Sequence, residues 1–162
     1  MGVKKTLVTL TLSLLLASEV AVGGAFNRGL EAYFSGDHQT ALSEWEPLAK
    51  VGHAQAQYNL GLMYRRGQSV PHSDKMAVKW YTLAAHQGLA EAQLNLAHML
   101  QFGRGVPIDY VRSYMWCSLS AYNGHKLSAT YTADMAALMT YAELTKAQNM
   151  SSHCLRNNYI DC

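Results

Sequence analysis

The residues that could carry out chemistry are three cysteines, seven histidines and a Ser-Ser-His-Cys cluster at residues 151–154. Neighbouring positions of a helix point in different directions, so these four side chains cannot form a nucleophile and its base among themselves. The sequence contains no G-x-S-x-G, H-E-x-x-H, phosphate-binding loop or Ser-x-x-Lys pattern. We therefore predict that the protein is not an enzyme.

The histidines do not form a pattern typical of a metal site. No two of them are three or four residues apart, which is the spacing that places two zinc ligands on one face of a helix. Most lie near the ends of predicted helices, where a capping or solvated role is sufficient. The sequence predicts no metal ion and no cofactor.

The cysteines indicate one disulfide bond. Cys154 and Cys162 are eight residues apart at the C-terminus, and Cys117 lies beside Trp116 inside a predicted helix. In an oxidising compartment the simplest pairing is Cys154 with Cys162, which would add about 2–3 kcal/mol on the chain-entropy model. Two free or heterogeneously paired thiols are the alternative. We expect Cys117 to be a buried, inert thiol.

An oxidising compartment is indicated by residues 1–25, which resemble a signal peptide. Lys4 and Lys5 precede an apolar run at residues 7–17, and Gly23 and Ala25, or their neighbours one residue earlier, fit a cleavage site. The run is too short to span a bilayer comfortably, although a retained anchor is the alternative. We predict export to the periplasm or beyond, with no membrane span after cleavage.

The elements that position all these residues follow from an internal repeat. Residues 54–89 align without a gap to residues 90–125, with 13 identities in 36 positions, most of them small residues, Gly, Pro or Trp. A fixed period of this length is typical of a solenoid. Asp37, Ser73 and Asp109 lie 36 residues apart as predicted helix N-caps, and glycines recur at the predicted helix ends.

The period predicts an all-α fold of eight helices, in four units at about residues 26–52, 53–88, 89–124 and 125–157, followed by a tail. Residues 26–162 form one domain, expected to be a monomer. The formal charge of +2, without a Lys/Arg run, argues against a nucleic-acid partner.

The repeats resemble the Sel-1-like repeat of the tetratricopeptide superfamily. The resemblance rests on AQAQYNLGLMYRRG at residues 54–67, the Val-Pro pair at 70–71, AVKWYTLAAHQG at 77–88, and the second copy with AEAQLNLAHMLQFGRGVP and Trp116. It implies a right-handed α/α solenoid. Ala97 in place of Gly61 is a departure that puts the tightness of the second interface in question.

The resemblance also implies that the first helix of each unit lines a concave face. The side chains expected there are Gln55, Tyr58, Asn59, Leu62, Arg65 and Arg66 in one unit, and Glu91, Leu94, Asn95, His98, Gln101 and Phe102 in the next. Asn59 and Asn95 match positions that bind a ligand backbone or carboxylate in tetratricopeptide clamps. A bond to their own neighbouring helix is the alternative.

The family implies a non-enzymatic scaffold for a protein or peptide in the bacterial envelope or the secreted space. Two alternatives stay open. One is binding or hydrolysis of cell-wall or β-lactam-like ligands, which some cysteine-rich members are described as binding, and the other is a structural accessory subunit.

Overall fold

The computed structural model describes residues 21–160 and Cys162, so most of the predicted signal peptide, residues 1–20, lies outside it. The described residues form eight helices and no strand, as predicted. Helix α1 covers residues 21–34, and the others are α2 (His38–Lys50), α3 (Ala54–Arg66), α4 (Asp74–Ala85), α5 (Ala90–Phe102), α6 (Tyr110–Tyr122), α7 (Ser128–Ala136) and α8 (Tyr141–Arg156).

The helices begin and end at the residues that the repeat indicated. The side chains of Asp37, Ser73 and Asp109 each accept a hydrogen bond from the backbone N–H three positions later, at 3.0, 3.2 and 2.8 Å. Gly67 and Gly103 end α3 and α5 in the left-handed conformation, with φ of 66° and 65°. These conformations favour glycine, which has no Cβ to clash.

The helices stack in chain order, each from α2 to α6 packing against the next, and α6 packing against α7. The last unit departs from this order, because the main partner of α8 is α6 rather than α7. Trp80 and Trp116 are buried between helices, as their recurrence 36 residues apart predicted. The chain is thus a solenoid with a modified final unit.

Two buried glutamines connect each unit to the next. Gln57 donates to the carbonyl of Ala49 and Gln93 to the carbonyl of Ala85, both at 3.1 Å. Gln57 also accepts from Gln87 at 2.7 Å, and Gln93 from Asn123 at 2.9 Å. Each glutamine therefore satisfies a backbone carbonyl near the end of the preceding unit. It also bonds to a side chain at the end of the second helix of the unit to which it belongs.

The contact at Gly61 shows how the interface inside a unit is filled. A Cβ added at Gly61 would lie 2.4 Å from the Tyr81 ring, and one added at Gly29 would lie 2.2 Å from the Trp45 ring. Position 97 carries Ala, but the residue equivalent to Tyr81 there is the much smaller Cys117. Relative to the first repeat, the second therefore gains a methyl group at position 97 and loses a ring at position 117.

The C-terminal tail is held by the predicted disulfide between Cys154 and Cys162, whose Cα atoms are 5.1 Å apart. Tyr159 donates its hydroxyl to the side chain of Asn123 at 2.7 Å, and its carbonyl lies 2.7 Å from Nδ1 of His86. The tail thereby joins α8 to the ends of α6 and α4. Cys117 is a free, buried thiol, and its burial raises its pKa.

Candidate interaction face

The helices α1, α3, α5 and α7 contact one another through side chains on one side of the stack, which we call the odd-helix face. Arg66 on α3 donates to the hydroxyl of Tyr33 on α1. Arg65 donates to Asn95 on α5 at 3.2 Å, and the His98 ring meets the Tyr131 ring of α7 edge-on at 5.1 Å. The face is therefore continuous across four helices.

The predicted site residues lie on α3 and α5, and they differ in how far they are accessible. The exposed ones are Gln55, Arg66, Glu91 and Phe102, and the half-buried ones are Tyr58, Asn59, Leu62, Arg65, Asn95, His98 and Gln101. Leu94 is a correction, because it is only 7% exposed and belongs to the core. Leu94 is part of the buried cluster that contains the core residues of α4 to α8.

Asn95 is occupied by contacts within the protein. Its amide donates to the carbonyl of Glu91 at 2.8 Å, one turn earlier, while its oxygen accepts from Arg65. This matches the alternative considered for the two asparagines, in which the amide bonds within its own stack. A ligand would therefore have to compete with these bonds to use Asn95.

Arg65 and Arg66 carry positive charge and form no ion pair with a carboxylate in the part of the chain that the structure describes. The ion pairs within the described residues involve Arg28, Lys50, His72 and Arg112, and none includes Arg65 or Arg66. Beside Arg65 lies the side chain of Tyr81, which is fully buried. Burial raises the pKa of Tyr81, and the positive charge of Arg65 opposes that rise.

Tyr58 lies among the polar groups of this face. Burial raises the pKa of its hydroxyl, with a further rise from Glu91, while the Asn95 side chain and Arg66 oppose it. Tyr33 extends this polar group to α1, donating its hydroxyl to Gln68 at 3.0 Å. The phenols and the two arginines together supply several hydrogen-bond donors to one area of the surface.

A cavity of about 380 Å³ lies between α5 and α7 at the other end of the face. The sequence did not reveal it, since half of its wall comes from α7, which has no counterpart in the aligned repeats. Burial lowers the pKa of His98, and the charges of Arg65, Arg104 and His125 lower it further. The lining residues are His98, Gln101, Phe102, Tyr131, Asp134, Met135 and Leu138.

A serine and a histidine do lie together elsewhere, but in a setting that argues against hydrolysis. The Oγ of Ser128 is 3.0 Å from Nδ1 of His125 and 2.8 Å from Oγ of Ser120. Ser128 is 0% exposed at the start of α7, so no substrate can reach it. Its hydrogen bonds join α7 to α6 and give it a structural role.

Two further findings concern only residues 21–160 and 162. They contain no group of three or more His, Cys, Asp or Glu side chains placed to hold a metal ion. None of their helices combines the length and the hydropathy needed to cross a bilayer.

The repeat geometry agrees with the comparison with known families. The Sel1 repeat profile matches residues 54–89 and 90–125, the same two segments that align with each other. The chain contains two Sel1 repeats. Its α-solenoid belongs to the tetratricopeptide-like superfamily, and Sel1 repeats are a scaffold typical of protein–protein interaction.

Two solved structures share this fold. One is c5321, described as a protective antigen present in uropathogenic Escherichia coli strains displaying an SLR fold, with 25% identity and a TM-score of 0.79 over 88% of this chain. The other is a Sel1 repeat protein from Oxalobacter formigenes, with 27% identity and a TM-score of 0.66 over 78% of this chain. The chain spans 32% and 38% of their lengths. No curated protein matches it.

Proposed function

We propose that this Sel1-like repeat protein is a non-enzymatic scaffold that binds a protein or peptide through its odd-helix face. The observation that carries the proposal is the distribution of differences between the two repeats. Packing residues recur every 36 positions. The side chains on the face differ between the repeats: His98 stands where the first repeat has Leu62, and Phe102 stands where it has Arg66. A surface that varies on a constant framework suits recognition of a specific partner.

The features of the face support binding of a polypeptide. Phe102 on α5 is 58% exposed and lines a cavity. Arg65 and Arg66 lie on α3, on the same face, and form no ion pair among the described residues. Exposed aromatic and arginine side chains are the residue types that most often dominate protein interfaces. The buried Ser128 gives no corresponding support to hydrolysis of cell-wall or β-lactam-like ligands.

The proposed location is the bacterial envelope or the secreted space. Support comes from the signal-like residues 1–25, from the disulfide between Cys154 and Cys162, and from the similarity to an Escherichia coli protective antigen. Disulfides persist in oxidising compartments. Fusion of residues 1–25 to a reporter that is active only after export tests this part of the proposal directly.

Site-specific photo-crosslinking in the producing cell tests the binding function. A photoreactive phenylalanine replaces Phe102 on the face or, as a matched control, Tyr122, which is also exposed but lies on α6. We expect position 102 to give a discrete crosslinked partner that is absent at position 122, and the partner is then identified by mass spectrometry. Equal products at both positions, or none at either, contradict binding through this face.

A further inference from the structure

We infer that the odd-helix face recognises an acidic peptide segment in which a large apolar side chain enters the α5–α7 cavity and a carboxylate binds Arg65 and Arg66. This inference rests on the proposed binding function and adds the chemical class of the partner. It follows from the lining of the cavity, from the charges of Arg65 and Arg66, and from the spacing between the cavity and these arginines.

The cavity suits an apolar side chain. Its wall contains Phe102, Tyr131, Met135 and Leu138, and Leu138 is 78% exposed at its edge. A volume of about 380 Å³ exceeds that of any single side chain, so a phenylalanine, leucine or tryptophan fits together with part of its backbone. The Asp134 carboxylate at the cavity disfavours an acidic side chain at this end of the face.

The arginine pair suits a carboxylate. Arg66 is exposed and Arg65 half-buried, and neither is neutralised by an acidic side chain among the described residues. A guanidinium group binds a carboxylate through two parallel hydrogen bonds.

The spacing between the two subsites limits the partner sequence. Arg65 and Arg66 lie on α3, and the cavity opens between α5 and α7, so the subsites are separated by about one helix diameter, about 10 Å. An extended peptide advances about 3.3 Å per residue. The apolar and acidic residues of the peptide should therefore be about three positions apart. The lengths of the side chains allow one position fewer or one more, so the range is roughly two to four.

Selection from a display library of random peptides of about ten residues, on the full-length oxidised protein, tests this inference. We expect enrichment of sequences with a large apolar residue and an Asp or Glu at the stated spacing. Synthetic versions carrying fluorescein are then measured by fluorescence anisotropy. R66A, F102A and an acid-to-amide change in the peptide should each weaken binding about tenfold, and R66A should have little effect on the amide peptide.

The matched controls are R112A, which removes an exposed arginine from α6, and Y122A, which removes an exposed aromatic residue from the same helix. Both should leave the dissociation constant unchanged. Enriched peptides that respond to F102A but neither to R66A nor to loss of their acid overturn the acidic specificity and leave the proposed binding function standing. No enrichment, or binding insensitive to both R66A and F102A, contradicts both.

Discussion

At the scale of single residues, the exchange of size between Gly61 and Tyr81 in one repeat and Ala97 and Cys117 in the next explains how two unlike sequences fill the same interface. A helix pair leaves a fixed volume between its axes, so a gain on one side requires a loss on the other. We therefore interpret the methyl group at Ala97 and the missing ring at Cys117 as one coupled change.

A double-mutant cycle at this pair tests the coupling. G61A should destabilise the protein by about 1–3 kcal/mol because the new methyl group overlaps the Tyr81 ring. Y81C alone should also destabilise, because it leaves a cavity. The double variant should cost less than the sum of the two by about 1 kcal/mol or more, measured by urea unfolding. Additive costs at this pair contradict the proposed exchange.

His98 predicts a pH dependence of stability. Burial and the positive charges of Arg65, Arg104 and His125 lower its pKa in the folded protein below the ordinary value of 6.5, and Asp134 also lines its cavity. A base with a lowered folded pKa binds its proton more weakly when folded, so the free energy of unfolding falls as the pH drops below 6.5. Above that pH this contribution is constant.

H98Q should reduce the fall in stability between about pH 6.5 and pH 5, because the buried titrating group is removed. Urea unfolding at several pH values measures the slope, and an NMR titration of the wild type follows the His98 ring itself. H153Q, at an exposed position of α8, is the matched control for the substitution itself. A His98 titration at or above pH 6.5 is incompatible with this prediction.

At the scale of elements, the buried glutamines predict how firmly successive units are joined. Q93L would leave the Ala85 carbonyl and the Asn123 amide without their partner, and we expect a loss of about 2–3 kcal/mol in the free energy of unfolding. Q148L, at an exposed position of α8, should change stability by less than about 0.5 kcal/mol. Similar losses in the two variants would show that Gln93 does not join the units.

The helix bounds were predictable because their signals are local. Asp37, Ser73 and Asp109 satisfy N–H groups three residues later, and Gly67 or Gly103 ends a helix by its own backbone conformation, so a single sequence carries the information. The small residues in the repeat also predicted close helix packing, although not which side chain fills each gap. The Gly61–Tyr81 contact joins residues 20 positions apart on different helices, which a period of 36 does not indicate.

The candidate site was only partly predictable. The family resemblance implied that Arg65, Arg66, His98 and Phe102 lie on one face of the solenoid, and the structure places them on the helices α3 and α5. It could not place the cavity, because Tyr131 on α7 and Leu138 just after α7 lie where the repeat pattern ends. It also misjudged Leu94, whose exposure depends on how closely the adjoining helices approach.

At the scale of the whole molecule, the buried residues form two clusters that meet at α3 and α4. One holds the core of α1 to α3 with Trp80, and the larger one holds the core of α4 to α8. Repeat proteins gain stability chiefly from contacts between neighbouring units. The tail is an exception within the larger cluster, since the segment that Cys162 closes reaches α8, α6 and α4 together.

Loss of the disulfide should therefore affect three units at once. Reduction, or the C154S/C162S double variant, frees a loop whose closure contributes about 2–3 kcal/mol on the chain-entropy model.

Tyr159 would then lose its fixed position against Asn123 and His86, so hydrogen exchange should accelerate at residues 157–162 and at the C-terminal turns of α4 and α6. Exchange at Arg65, Arg66 and Phe102 should change little, because the hydrogen bonds of Tyr159 reach the ends of α4 and α6 instead. A reducing agent should destabilise the wild type and leave the double variant unaffected, which separates the disulfide from any effect on the buried Cys117. If hydrogen exchange mass spectrometry finds acceleration confined to α8, the tail does not join the units as its contacts indicate.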